Sequence, residues 1–229
     1  MWKKVSPTTL YIHKEEPFAT YNPYYHLVGK PKRENIEEII VEEGHPRLIS
    51  VDNCLIDAES NRLLLVCKNS KIPANIKSLG KYVYRDGFFL DTMYIPNTVK
   101  EILWGAFAHC RNLTKINIPD SVTKIGPYAF VGCCNLVELT LPNSIKTIQS
   151  NAFLDCTSLK KVILSENLTT LKKEAFAYCS SLEYVRFGGN IKFIGVGTFR
   201  ECDKLTILAP AGSYAEDYAK KHNIKFEAI

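Results

Sequence analysis

Apolar residues return along this chain on a beat of 23. Leucine stands at Leu90, Leu113, Leu136, Leu159, Leu182 and Leu205, phenylalanine at Phe107, Phe130, Phe153, Phe176 and Phe199, and cysteine at Cys110, Cys133, Cys156, Cys179 and Cys202. The segment Leu113 to Cys133 reads LTKINIPDSVTKIGPYAFVGC, and Leu136 to Cys156 reads LVELTLPNSIKTIQSNAFLDC. They match position by position as L-x-x-I-x-I-P-x-x-V-x-x-I-G-x-x-A-F-x-x-C, and five full units run from 90 to 204. A degenerate sixth precedes them, with Ile72-Pro73, Ile76, Leu79-Gly80, Val83-Tyr84 and Gly87 at the Ile-Pro, Val, Ile-Gly, Ala-Phe and Cys positions. A fixed period of this length is the signature of stacked repeats.

Within a unit, the alternation L-x-x-I-x-I predicts a short strand with every second residue inward. Proline ends it by removing a ladder donor, and V-x-x-I predicts a second short extended piece. One unit has no core of its own. Stacked at about 4.8 Å, the inward Leu, Ile, Val, Ala and Phe of each turn pack on their equivalents above and below. The predicted fold is therefore mainly β: a right-handed parallel solenoid of 23-residue turns.

The IP-x-x-V-x-x-IG-x-x-AF-x-x-C core resembles the BspA-like, or treponemal, type of leucine-rich repeat, over residues 67–229 and also 36–66. The resemblance implies a β-hairpin ahead of the repeats, here Val51 to Asp57 and Leu63 to Cys67, and a terminal cap behind them. Four parts are expected: 1–35, an N-terminal arm or cap; 36–66, a lead-in strand (Ile36 to Gly44) and the hairpin; 67–204, one degenerate and five full leucine-rich repeats; and 205–229, a C-terminal cap. In the last, Ser213-Tyr-Ala-Glu216 is a capping-box start for a helix running to about His222. Tyr214, Tyr218, Ala215 and Ala219 form its apolar face, Ile224 to Phe226 returns as a strand, and the cap is expected to shield the last strand edge.

Composition narrows the function. With 229 residues, 46% of them hydrophobic, the chain can bury an extended core. Its net charge of +5 arises from 29 basic and 24 acidic residues interspersed along the sequence, which gives nucleic-acid binding little support. No apolar run spans a bilayer, and Met1 to Leu10 lacks the apolar stretch of a signal peptide. Cell-surface or secreted placement is implied by the resemblance, with a cytoplasmic one as the alternative.

The eight cysteines invite a disulfide or zinc reading. Equivalent side chains in a stack point in parallel, five ladder cysteines leave one over, and a line of thiols is not a tetrahedron. They are expected to be reduced, buried and inert. His109 beside Cys110 has the residue types of a base and a nucleophile, but neighbours in an extended turn project to opposite sides. There is no H-x-x-x-H, G-x-G-x-x-G, Walker loop or G-x-S-x-G, and the Ile-Gly pairs at Gly80, Gly126 and Gly195 read as single turn glycines. The sequence therefore assigns no catalytic residue, cofactor or metal, and the chain is expected not to be an enzyme.

Two surface columns remain. Lys77, Lys100, Lys146 and Lys192 recur after the Val position, with Thr123 and Thr169 relieving the charge, and read as a solvated face. The outward strand positions are free of the core requirement: Thr92 and Tyr94, Lys115 and Asn117, Glu138 and Thr140, Lys161 and Ile163, Tyr184 and Arg186. They mix aromatics, Arg and an exposed Ile, types suited to binding hot spots. A monomeric protein-binding scaffold using this face is the leading expectation, of adhesion type if the resemblance carries over. An intracellular structural scaffold is the alternative. A carbohydrate-binding module would need an aromatic platform, at which only Tyr94 and Tyr184 hint.

Overall fold

The computed structural model describes residues 7–16 and 35–229 of the chain. The tyrosines Tyr21, Tyr24 and Tyr25 of the expected arm lie outside the described residues. Strand β1 (Thr9–Ile12) pairs in parallel with β2 (Glu38–Val41), and β3 (Leu48–Val51), β4 (Cys54–Asp57) and β5 (Arg62–Val66) form an antiparallel meander. Their inward residues Leu10, Ile12, Ile36, Ile39, Leu48, Leu55 and Leu65 make a small core of their own. Behind β3, the fully buried Asp57 carboxylate accepts two 2.9 Å bonds from the Arg47 guanidinium and one from the Ser60 hydroxyl. Those bonds, Arg47's foremost, lower its pKa to about 2.

From β5 the chain winds into turns of 23 residues. After β6 (Ser78–Leu79) come β7 (Thr92–Tyr94), β8 (Glu101–Ile102), β9 (Lys115–Asn117), β10 (Lys124–Ile125), β11 (Glu138–Thr140) and β12 (Thr147–Ile148). The alternation continues through β13 (Lys161–Ile163), β14 (Thr170–Leu171), β15 (Tyr184–Arg186), β16 (Phe193–Ile194) and β17 (Thr206–Ala209). The two-residue strands stack in parallel onto the meander as one nine-stranded sheet, β16-β14-β12-β10-β8-β6-β5-β4-β3. On the other side, β11-β13-β15-β17 pair in register, so Lys161 lies between Glu138 and Tyr184, and Ile163 between Thr140 and Arg186.

The core is a stack of identical layers. Phe107, Phe130, Phe153 and Phe176 are fully buried, and their rings lie parallel at 5.0 to 5.1 Å with interplanar angles of 2° to 4°. Tyr84 begins this column at 4.9 Å from Phe107, and Phe199 ends it at 6.0 Å from Phe176.

A third ladder, which the sequence does not announce, closes each turn. Tyr82, Gly105, Tyr128, Asn151, Glu174 and Gly197 have left-handed backbone, and so do Asp86, His109, Gly132, Asp155, Tyr178 and Glu201. Both sets keep the 23-residue beat. The resulting coil turns alternate N–H groups toward the next turn: Gly105, Phe107 and His109 donate to the carbonyls of Pro127, Ala129 and Val131, and Glu174, Phe176 and Tyr178 to Val196, Thr198 and Arg200. The glycines of the Ile-Gly pairs play a different part from the expected one. Gly80, Gly126 and Gly195 have ordinary φ, and a Cβ on any of them would collide with the backbone of the preceding turn. They let turns approach rather than letting the chain turn.

Helix α1 (Tyr214–Lys221) caps the stack. The Ser213 hydroxyl accepts from the Glu216 N–H, while the Glu216 carboxylate accepts from the N–H of Gly212 rather than of the N-cap residue. Ala215 and Ala219 are buried and the Tyr218 ring meets Phe199 edge-on, whereas Tyr214 is exposed and does not belong to the apolar face. Strand β18 (Lys225–Ala228) pairs with β17. Edge shielding is incomplete, because β18 and β16 are the last strands of their sheets, and charge on Lys225 and Glu227 is what blunts β18.

Candidate functional site

The outward strand residues form one continuous strip. Thr92, Lys115, Glu138, Lys161 and Tyr184 make one column and Tyr94, Asn117, Thr140, Ile163 and Arg186 the other, with the intervening Met93, Ile116, Leu139, Val162 and Val185 inward. All ten outward side chains are exposed except Ile163, which is half-buried between Thr140 and Arg186. An isoleucine in the middle of a parallel ladder shares its flanks with its neighbours, so the sequence overstates its exposure. Tyr94, at 68% exposure, is the most open aromatic of the strip. Arg186 reaches the Glu166 carboxylate only at 4.0 Å, leaving the guanidinium free to exchange partners.

The strip is interrupted at its centre. Strands β7 and β9 pair with each other, and the five-stranded sheet starts at β11, so no ladder joins β9 to β11. The bond that closes this position in other turns, Ile95 to Asn117 or Leu141 to Ile163, has no counterpart between Ile118 and Thr140. A groove of about 670 Å³ opens there, lined by Lys115, Asn117, Glu138 and Thr140 with Ile116, Ile118 and Val137 along its floor and rim. Nothing in the repeat pattern foretells it. Four of the strand-face candidates thus share one concavity, while Tyr94 and Tyr184 stand four turns apart, about 19 Å at strand spacing, and form no common platform.

Stacked aromatics are found elsewhere. Trp104 and Tyr128 lie nearly parallel at 5.9 Å on the turn side, beside Tyr82 and His109. Their contact depends on the left-handed backbone of Tyr128, so single-strand periodicity gives no hint of it. The lysine column Lys77, Lys100, Lys146 and Lys192 is exposed.

The cysteines have a structural part. Cys110, Cys133, Cys156, Cys179 and Cys202 are buried thiols whose Sγ donates, at 3.0 to 3.3 Å, to the backbone carbonyl of the preceding turn's Tyr84, Phe107, Phe130, Phe153 and Phe176. Burial pushes the Cys133 thiol well up and that of Cys202 to about 12. A protonated thiol is the form that can donate. Only Cys134, outside the repeat pattern, is part-exposed. His109 and Cys110 do diverge, but for a reason other than an extended turn: His109 is left-handed, and its ring lies against Gly132 of the next turn. Among the described residues no group of three His, Cys, Asp or Glu is placed to hold a metal ion, and no helix is long and apolar enough to cross a membrane.

The fold is that of the pneumococcal vaccine antigen PcpA (TM-score 0.72, 18% identity, 96% of this chain and 56% of that one). It is also that of a leucine-rich cell surface protein from Faecalibacterium prausnitzii (0.63, 23%, 93% and 50%) and a leucine-rich repeat protein from Eubacterium ventriosum (0.61, 21%, 85% and 58%). The chain thus spans about half the length of these proteins. No curated protein sequence matches it. Residues 77–206 match the BspA-type leucine-rich repeat region in six copies, and the chain belongs to that family.

Proposed function

We propose that this chain is a non-enzymatic, protein-binding scaffold of adhesion type that holds its partner on the strand face between Tyr94 and Arg186. The observation that carries the reading is the break between β9 and β11, which turns a flat ladder into a groove lined by Lys115, Asn117, Glu138 and Thr140. Each other pair of successive strands on this face, from β7-β9 to β15-β17, is joined by a ladder. The groove combines apolar floor atoms with opposite charges on its two walls, a mixture suited to an extended peptide or loop. Tyr94 adjoins it beside Asn117, Tyr184 and Arg186 stand two strands beyond β11, and all three can bury area at small entropy cost. A surface location is favoured by the family and by the likeness to the Faecalibacterium cell surface protein.

The test compares paired substitutions in a partner-capture experiment with quantified binding of each captured species. Tyr184→Ala with Arg186→Ala, and separately Lys115→Ala with Glu138→Ala, should each weaken binding of the same partner at least tenfold. Lys146→Ala with Lys192→Ala should leave it unchanged. Loss through the lysine pair alone would place the partner on the opposite side.

A further inference from the structure

The third ladder has an open end. In every turn from Gly105 to Tyr178 the N–H groups of the coil are consumed by carbonyls of the turn that follows. The last turn has no such follower, and among the described residues the N–H groups of Gly197, Phe199 and Glu201 meet no acceptor. Two of these three residues, Gly197 and Phe199, line a cleft of about 560 Å³ between the last turn and the C-terminal helix, with Tyr218 and His222 on the far wall. These N–H groups occupy the places that donate to carbonyls in every earlier turn, and such strong donors call for an acceptor.

Side chains of the last turn add to this in a way the earlier turns do not. At the position of Arg200 the preceding turns carry Ala177, Leu154, Val131 and Ala108, and at the position of Lys204 they carry Ser181, Ser158, Asn135 and Asn112. Gly197 has φ +65°, and the Arg200 guanidinium lies 3.3 Å from where a Cβ on it would sit, so the cation is against the first open peptide. Lys204 and Lys225 also line the cleft, against the single carboxylate of Asp203. Arg200 shares Glu174 at 3.4 Å, a carboxylate that is only 17% exposed and also accepts from the Asn151 amide at 3.1 Å, while Lys225 shares Glu227 at 2.9 Å in a solvent-facing pair that is readily exchanged.

We propose that this cleft is an oxyanion site, in which the N–H groups of Gly197 and Phe199 and the guanidinium of Arg200 receive a sulfate, phosphate or carboxylate group. The Gly197 and Phe199 amides take the oxygens as they would take the carbonyls of a further turn, and Arg200 balances the charge. A sulfated or acidic glycan, a phosphorylated group and a peptide carboxylate share this chemistry. The site lies at the end of the solenoid, away from the strand face, and stands independently of the protein partner.

The test is an amide-resolved NMR titration of the whole chain with sodium sulfate, sodium phosphate and sodium acetate, against sodium chloride at matched ionic strength. At least one of the three oxyanions should give saturable shifts centred on Gly197, Phe199 and Glu201, and the tightest identifies the ligand class. Arg200→Gln should weaken that binding about tenfold, as expected for losing a charge-assisted bond, while its spectrum elsewhere stays native. Lys146→Ala, on the lysine column, should leave the midpoint unchanged. Shifts reproduced by chloride, shifts centred on the lysine column, or an unaltered midpoint in a folded Arg200→Gln protein would each overturn the assignment.

Discussion

Replacing Phe153 with alanine removes the middle of the aromatic column. Its ring is fully buried, 5.0 Å from Phe130 and 5.1 Å from Phe176, and nearly parallel to both. Phe-to-Ala changes in cores cost roughly 3 to 5 kcal/mol, and each lost ring pair is worth about 0.5 to 1.5 kcal/mol beyond its area. Two such pairs put Phe153→Ala at the upper end, about 5 kcal/mol. Each turn touches only its neighbours, so the damage from Phe153→Ala should stay local. Hydrogen exchange should show protection falling in the turns from about 127 to 179, with the meander and the helical cap little changed. Uniform loosening from 90 to 229 would refute the layer-by-layer reasoning.

Thiol titration of the native protein should find one fast cysteine, Cys134, and the buried seven should react only in denaturant; rapid native labelling of the ladder thiols would contradict their placement. The lowered pKa of Asp57 means its contribution to stability is full above the unfolded value of about 3.9 and is lost as pH falls through about 2. Acid titration of the native state should therefore show the meander loosening between about pH 4 and 2, and Asp57→Asn should remove that dependence. Gly132→Ala should destabilise the fold by about 1 to 3 kcal/mol in urea, since φ there is +68° and the added methyl meets the His109 ring, whereas Glu201→Gly, at φ +58°, should be neutral or stabilising by up to about 1 kcal/mol.

The sequence made the strands, the Phe column and the inward cysteines legible because each rests on a side chain that must be apolar at a fixed beat. It hid the third ladder because the left-handed positions are filled by residues as unlike as Tyr82, Gly105, Asn151 and Glu174. What they share is a backbone conformation imposed by the stack, and no side-chain type marks it. Gly80, Gly126 and Gly195 misled for the same reason, since a glycine needed for close approach looks in a sequence like a glycine needed for a turn. The outward columns could be read from alternation, but the groove among them could not. Lys115 to Asn117 and Glu138 to Thr140 obey the same pattern as every other pair, and only the missing bond between their strands separates them.

The most direct measurement of the proposed function is site-specific photo-crosslinking. A benzophenone side chain is placed at Asn117 or Tyr184 on the strand face, or at Lys146 or Lys192 on the lysine column, and the protein is exposed to its captured partner. Adducts to one partner from Asn117 and Tyr184, with none from Lys146 and Lys192, are the predicted result. Adducts from the lysine positions alone, or from all four alike, would contradict it.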